Sequence, residues 1–135
     1  MIKEKLKRYV KTLNDISDDQ EKYAWLMLFG KKSMDMRKEL KQEKFEIPGC
    51  QTRTWLVPHF TDNKYSFSAD SDALISRGMV NLLADVFSGS TSKEILSFER
   101  RDLEDLRLDI LLTPGRRNGV HGMLQKIREY AQESN

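Results

Sequence analysis

Apolar positions recur at helical spacing near both ends of this chain and alternate along a short stretch in the middle. Leu6, Tyr9, Val10 and Leu13 fall on one face of residues 3–13, with lysines between them, and predict a short amphipathic helix. Ser17 followed by Gln20 has the capping-box pattern, and Asp18 and Asp19 suit the positive end of a second helix. Residues 23–29 are apolar on nearly every face, which predicts a buried helix running to Gly30 or on to Met36. Residues 37–46 are mostly charged and predict an exposed connection. Two strands follow, over residues 52–61 and 64–69. In the second, Tyr65, Phe67 and Ala69 alternate with Lys64, Ser66 and Ser68. Asp62-Asn63 is a two-residue turn signal without the usual glycine. Pro58 points to an edge position or a bulge. Two strands make a marginal sheet, so a third is expected, from residues 43–47 or 110–112.

The second half reads as helices. Asp70, Ser71 and Asp72 each offer a cap for a helix over residues 73–87. Gly78 stands in the middle of that helix, where glycine costs about 1 kcal/mol against alanine. The cost predicts close backbone approach by another element. Thr91 and Glu94 form a capping box opening a short helix to Leu96. Residues 99–109 predict another short helix carried by Leu103, Leu106 and Leu108. Thr113-Pro114 has the signature of a helix start. The last helix carries Val120, Met123, Leu124, Ile127 and Tyr130 on one face and ends near Gln132. The pattern as a whole predicts an α+β fold: a single compact domain over residues 1–135, with a small antiparallel sheet of about three strands packed against several helices.

Composition narrows the chemistry. The 135 residues include 23 basic and 21 acidic side chains, a near balance that lacks the basic footprint of a nucleic-acid binder. No apolar run approaches the ~20 residues of a membrane span, and the start lacks the apolar core of a signal peptide. The single cysteine forms no internal disulfide and suits a reducing, cytoplasmic setting. His59 and His121 have no Cys or Glu at metal-ligand spacing, so no metal site is expected. No glycine-rich phosphate loop is present.

Two stretches are left unexplained by packing. The first is Pro48-Gly49-Cys50-Gln51, where turn formers set a lone thiol on a loop before a strand. A lone cysteine is most often a small buried hydrophobe. Here its flanks are polar, and converging backbone amides would favour the thiolate, which is the nucleophile. The second is residues 113–119, with Arg116 and Arg117 in the first turn of a helix, where the dipole disfavours cations. An anion would satisfy them: a thiolate, a persulfide or a partner's carboxylate. Pairing with the acids of residues 99–109 is the plainer alternative. Asp70 and Asp72 admit a paired-acid site, although capping is the simpler reading. A stand-alone thiol hydrolase is not supported, because neither histidine can be placed beside Cys50.

Three blocks resemble the SufE family in its order. Gly49-Cys50-Gln51 with Thr54-Trp55-Leu56 is similar to that family's cysteine motif. Asp70-Ser71-Asp72-Ala73 with Ile75, Arg77 and Gly78 resembles its second motif. Leu112-Thr113-Pro114-Gly115-Arg116, with Gly119, Met123, Ile127 and Arg128, resembles its third. There are departures: Thr52-Arg53, the stretch 76–79, and Gly115 where serine is usual.

The resemblance implies a sulfur acceptor that stimulates a cysteine desulfurase of the SufS type. Cys50 would carry the sulfur as a persulfide to an iron–sulfur scaffold complex. The pyridoxal phosphate belongs to the desulfurase, and no cofactor of its own is implied. Gln51, Asp70, Asp72 and Arg116 match positions that support the thiol or engage the partner. The protein would work as a monomer or a homodimer. The alternative is a non-covalent desulfurase-binding or regulatory module that carries no sulfur.

Overall fold

The computed structural model describes residues 1–133. Its centre is an antiparallel hairpin of β1 (Thr54–Thr61) and β2 (Lys64–Ser71). The strands pair from Thr54 with Ser71 to Thr61 with Lys64, so Asp62-Asn63 is a two-residue turn. Both turn residues have positive φ, 54° and 66°, the type I′ geometry that matches strand twist. Asp and Asn take the place of glycine because their short polar side chains tolerate that region.

Alternation assigns the two hairpin faces. Leu56, Tyr65, Phe67 and Ala69 join the main core, while Trp55 and Val57 form a small second core with Met36, packed by Leu40 and Phe45. The charged connection is therefore more than a tether: it roofs one end of the outer hairpin face. Two single turns of 3-10 helix, Lys38–Leu40 and Glu43–Phe45, carry its apolar residues inward.

Among the described residues, six α-helices accompany the hairpin: α1 (Ile2–Asn14), α2 (Asp19–Lys32), α3 (Leu74–Phe87), α4 (Ser92–Ser97), α5 (Leu108–Leu111) and α6 (Pro114–Glu133). α3 packs along the hairpin and supplies many of the fully buried residues, among them Val80, Leu82, Leu83, Val86 and Phe87. α2 crosses α3 where two glycines meet. A Cβ on Gly78 would stand 2.1 Å from the Leu26 carbonyl oxygen, and one on Gly30 would stand 2.5 Å from that of Leu74. The close approach expected at Gly78 is thus a helix crossing that admits no side chain.

α6 closes the fold. The Tyr65 hydroxyl donates to the Tyr130 carbonyl, and the Tyr130 hydroxyl donates to the Leu56 carbonyl, each at 2.8 Å. This reciprocal pair ties hairpin to helix. Thr91 and Glu94 form the expected capping box of α4. Arg116 N donates to the Thr113 hydroxyl at 3.4 Å, consistent with Thr113 capping α6.

Several expectations are corrected. No third strand forms among the described residues. Glu46 makes one isolated bridge with Trp55, Ser90 makes one with Tyr65, and residues 110–111 are helical. Sheet edges are covered by helix and connection instead, which removes the need for a further strand. α2 is capped by Asp18, whose side chain accepts from Gln20 N, and not by Ser17. It ends at Lys32 and is only half buried: Leu26 and Gly30 are covered, whereas Tyr23 and Leu28 are exposed. An apolar run seven residues long cannot turn every face toward one core. Asp70 and Ser71 lie within β2, and Ala73 stands at the N-cap of α3 with no side-chain cap. Residues 99–109 form a 3-10 stretch, Arg100–Leu106, that turns at Arg107 with a φ of 55° and passes into α5. No helix among the described residues is long and apolar enough to cross a membrane.

Candidate functional site

Ile47 N donates to Thr54 O at 2.9 Å, and residues 48–53 loop out between these two positions. The ion pair of Glu46 and Arg53 clamps the base, with Arg53 Nε and Nη2 each donating to one carboxylate oxygen at 3.1 Å. That pairing holds the Glu46 carboxyl below its usual range. Gly49 turns the loop with a φ of 84°, and Cys50 follows directly.

The loop lies on α6 because three glycines, 115, 119 and 122, share one helical face. A Cβ on Gly122 would stand 2.7 Å from the Pro48 carbonyl oxygen. One on Gly119 would stand 3.3 Å from Cys50 Sγ, and one on Gly115 would stand 2.2 Å from Gln51 Nε2. The spacing of four and then three residues follows the helix period. Cys50 Sγ is 3.8 Å from the Gly119 carbonyl, as a weak S–H donor.

Beside the thiol is a cavity of about 10 Å³, with room for roughly one water. Ile75, Met79, Leu112, Val120 and Met123 give it apolar walls, and Gln51, Ser76 and Arg116 are its polar members. Burial pushes the half-buried Cys50 thiol above its ordinary range. A hydrogen bond from Thr54 and the charge of Arg116 pull the other way without cancelling that effect. The resting thiol is therefore a shielded, protonated group.

Arg116 is not paired with an acid among the described residues. Its Nη1 donates to the Ser76 hydroxyl and, at 3.4 Å, to that of Thr52. Thr52 Oγ1 lies 3.3 Å from Ser71 Oγ, which lies 2.9 Å from Thr54 Oγ1. A chain of hydroxyls thus runs from the guanidinium to the foot of the cysteine loop. Arg117 points elsewhere, into an open cleft with Arg100, Glu104, Asp105 and His121. Burial, then the charges of Arg100 and Arg117, lower the His121 pKa. His59 bonds Ser68 on the hairpin surface at 2.9 Å. Neither histidine lines the cysteine cavity.

The structure brings Cys50, Gln51 and Arg116 together and sets the two aspartates apart from the cavity. Asp70 is buried elsewhere. It accepts from Met36 N at 3.1 Å, with Arg77 Nε at 3.4 Å and Lys41 Nζ at 3.5 Å. It anchors the 33–41 connection; it is neither a cap nor half of an acid pair. Asp72 is exposed, with its backbone N donating to Arg53 O at 3.0 Å. Ser76, Gly119 and Gly122 belong to the site and carried no separate signal of chemistry in the sequence. Among the described residues, no group of three or more His, Cys, Asp and Glu side chains is placed to hold a metal ion.

Residues 7–131 match the family described as SufE, Fe-S metabolism associated domain. The chain belongs to the SufE family. It is 29% identical over 126 residues to an uncharacterized SufE-like protein of Synechocystis, covering 93% of this chain and 79% of that protein. It is also 29% identical over 128 residues to SufE-like protein 1, chloroplastic/mitochondrial, of Arabidopsis thaliana. That alignment covers 94% of this chain and 34% of the longer plant protein. In fold it matches the solution structure of a hypothetical protein from Thermus thermophilus, with a TM-score of 0.78 and 16% identity. That match covers 96% of this chain and 95% of the other. SufE membership places the chain in iron–sulfur metabolism.

Proposed function

We propose that this SufE protein is a sulfur acceptor that stimulates a cysteine desulfurase and carries sulfur on Cys50 toward iron–sulfur cluster assembly. The observation that carries the reading is the lone cysteine, set on a clamped loop over a glycine groove and sharing a cavity with Arg116. The transfer is a thiol–disulfide-type exchange. The Cys50 thiolate attacks the outer sulfur of the desulfurase persulfide. A new S–S bond forms at Cys50 as the old one breaks, and the desulfurase cysteine leaves as a thiolate. No net oxidation occurs, and no cofactor on this chain takes part. Pyridoxal phosphate would serve the desulfurase alone. A scaffold thiolate then takes the outer sulfur by the same exchange, and Cys50 returns to thiolate.

The resting geometry fits a carrier that must not lose sulfur to solvent. Burial keeps the thiol protonated, and docking of a partner is the event that lifts the loop. Gly49, at a positive φ, is its pivot, and the Glu46–Arg53 clamp holds its base. In this reading Gln51 steadies the loop on the first turn of α6, Asp72 faces the partner, and Arg116 receives the anionic sulfur. Asp70 contributes by fixing the 33–41 connection. The proposed setting is cytoplasmic.

The test is intact mass after incubation with a pyridoxal-phosphate cysteine desulfurase and cysteine. The expected result is a gain of about 32 Da per sulfur, reversed by reductant and absent in Cys50→Ser. Full desulfurase stimulation by Cys50→Ser would overturn the carrier reading in favour of a non-covalent binding module.

A further inference from the structure

Ser76 is a buried hydroxyl in an apolar stretch of α3, and the sulfur chemistry above leaves it without a part. It is 6% exposed and shares the cavity wall with Cys50. Its oxygen accepts from Arg116 Nη1 and, at 3.4 Å, from the Thr52 hydroxyl. A serine hydroxyl has two acceptor sites and one proton. Both acceptor sites are filled here, and among the described residues that proton is donated to nothing. A buried donor without an acceptor is costly unless something occupies the space it faces.

If the serine served only to hold Arg116, its oxygen would suffice and its proton would be surplus. The bond from a guanidinium polarises the O–H and makes it a stronger donor in a site of low dielectric. The space beside it is about 10 Å³, walled mostly by apolar residues, and Cys50 lines the same cavity. A thiolate, or the outer sulfur of a persulfide anion, is an acceptor suited to that position.

We infer that Ser76, polarised by Arg116, is a hydrogen-bond donor to the anionic sulfur carried at Cys50. The inference rests on the reading of Cys50 as the sulfur-bearing thiol. Arg116 then acts partly through Ser76 as well as by its own charge. Thr52 holds the pair in register from the cysteine loop, so lifting the loop breaks the Thr52 contacts and releases the sulfur from the donor.

The test reads the anion directly and needs no desulfurase. The full chain is alkylated with iodoacetamide across pH, and the rate is followed by intact mass. The series is repeated after loading sulfur on Cys50 with inorganic polysulfide. Loop opening scales the rate at every pH, whereas a hydrogen bond to the anion moves the midpoint. Ser76→Ala is expected to raise the midpoint of both forms. Below the midpoint, the rate should fall about tenfold for each pH unit by which the midpoint rises. Ser76→Val and Ser76→Thr are nearly isosteric. The first is expected to follow Ser76→Ala and the second to restore the native profile. Midpoints unchanged in Ser76→Val, or moved equally by Ser76→Thr, would overturn the inference. A polysulfide-loaded Cys50 whose midpoint rises in Ser76→Ala, with no sulfur accepted from a desulfurase, would leave the donor in place and remove the carrier reading instead.

Discussion

Gly119 faces Cys50 so closely that a methyl group on its Cα would stand 3.3 Å from the sulfur. One turn further along α6, a Cβ on Gly122 would stand 2.7 Å from the Pro48 carbonyl oxygen. The second approach is to backbone, which cannot rotate aside. Gly122→Ala is therefore expected to lift the loop at Pro48 and raise the Cys50 alkylation rate several-fold at pH 7. The same change restores about 1 kcal/mol of helix propensity. Global stability by urea denaturation should stay within about 1 kcal/mol of the native protein, separating loop from fold. Gly115→Ala is expected to raise the rate less, because the atoms nearest its Cβ belong to the Gln51 side chain, which can rotate aside. Equal alkylation rates in Gly122→Ala and the native protein would show that the groove does not seat the loop.

The crossing of α2 and α3 makes the opposite prediction for the same kind of substitution. A Cβ on Gly78 would stand 2.1 Å from the Leu26 carbonyl oxygen, with helix backbone on both sides. The two helices must part to admit it. Overpacking of this kind costs about 1–3 kcal/mol, more than the propensity gained. Gly78→Ala should lower the urea midpoint without changing the alkylation midpoint of Cys50. A variant as stable as the native chain would mean that the helices slide past one another freely.

Those two glycines show what the sequence reveals and what it hides. Gly78 was legible because glycine in a helix interior is costly, and a nearby reason is then expected. The glycines of α6 gave no such warning, since Gly115 reads as part of a helix start and the partner loop lies some 70 residues away. The period of apolar residues set out the hairpin and all the longer helices. It misjudged α2, where residues 23–29 are uniformly apolar and carry no preferred face. Asp70-Ser71-Asp72 reads equally well as strand end or helix cap. Only the burial of Asp70 among Arg77, Lys41 and Met36 N decides between them. The joining of Arg116 to Ser76 was invisible for the same reason: 40 residues separate them.

Asp70 itself yields a stability prediction. Its side chain is 4% exposed, and two cations and two backbone amides converge on it. Removing one member of a buried charge pair leaves the others unsatisfied, at about 3 kcal/mol or more. Asp70→Ala should reduce stability by that order and expose the Met36, Trp55 and Val57 cluster. Tryptophan fluorescence would shift to the red through Trp55. Asp70→Asn keeps an acceptor for Met36 N and should cost less. If Asp70→Ala left the urea midpoint unchanged, the connection would not be anchored there.

The half-buried thiol sets an alkaline limit on stability. Burial raises the Cys50 pKa, against the smaller opposing effects of Thr54 and Arg116. The folded chain therefore holds its thiol proton at pH values where the unfolded chain, with an ordinary thiol pKa of about 8.5, has begun to lose it. The contribution is complete below the unfolded pKa and is lost as pH rises through the folded one. Tyrosines and lysines also titrate in that range, so the native chain alone is ambiguous. The difference between native and Cys50→Ser isolates the thiol. Their urea midpoints should differ by a constant amount from pH 6 to 8, and the native advantage should shrink between pH 8 and 10. A difference that stays flat to pH 10 would place the Cys50 pKa at its unfolded value. The thiol would then be no better shielded in the resting loop than in the open chain.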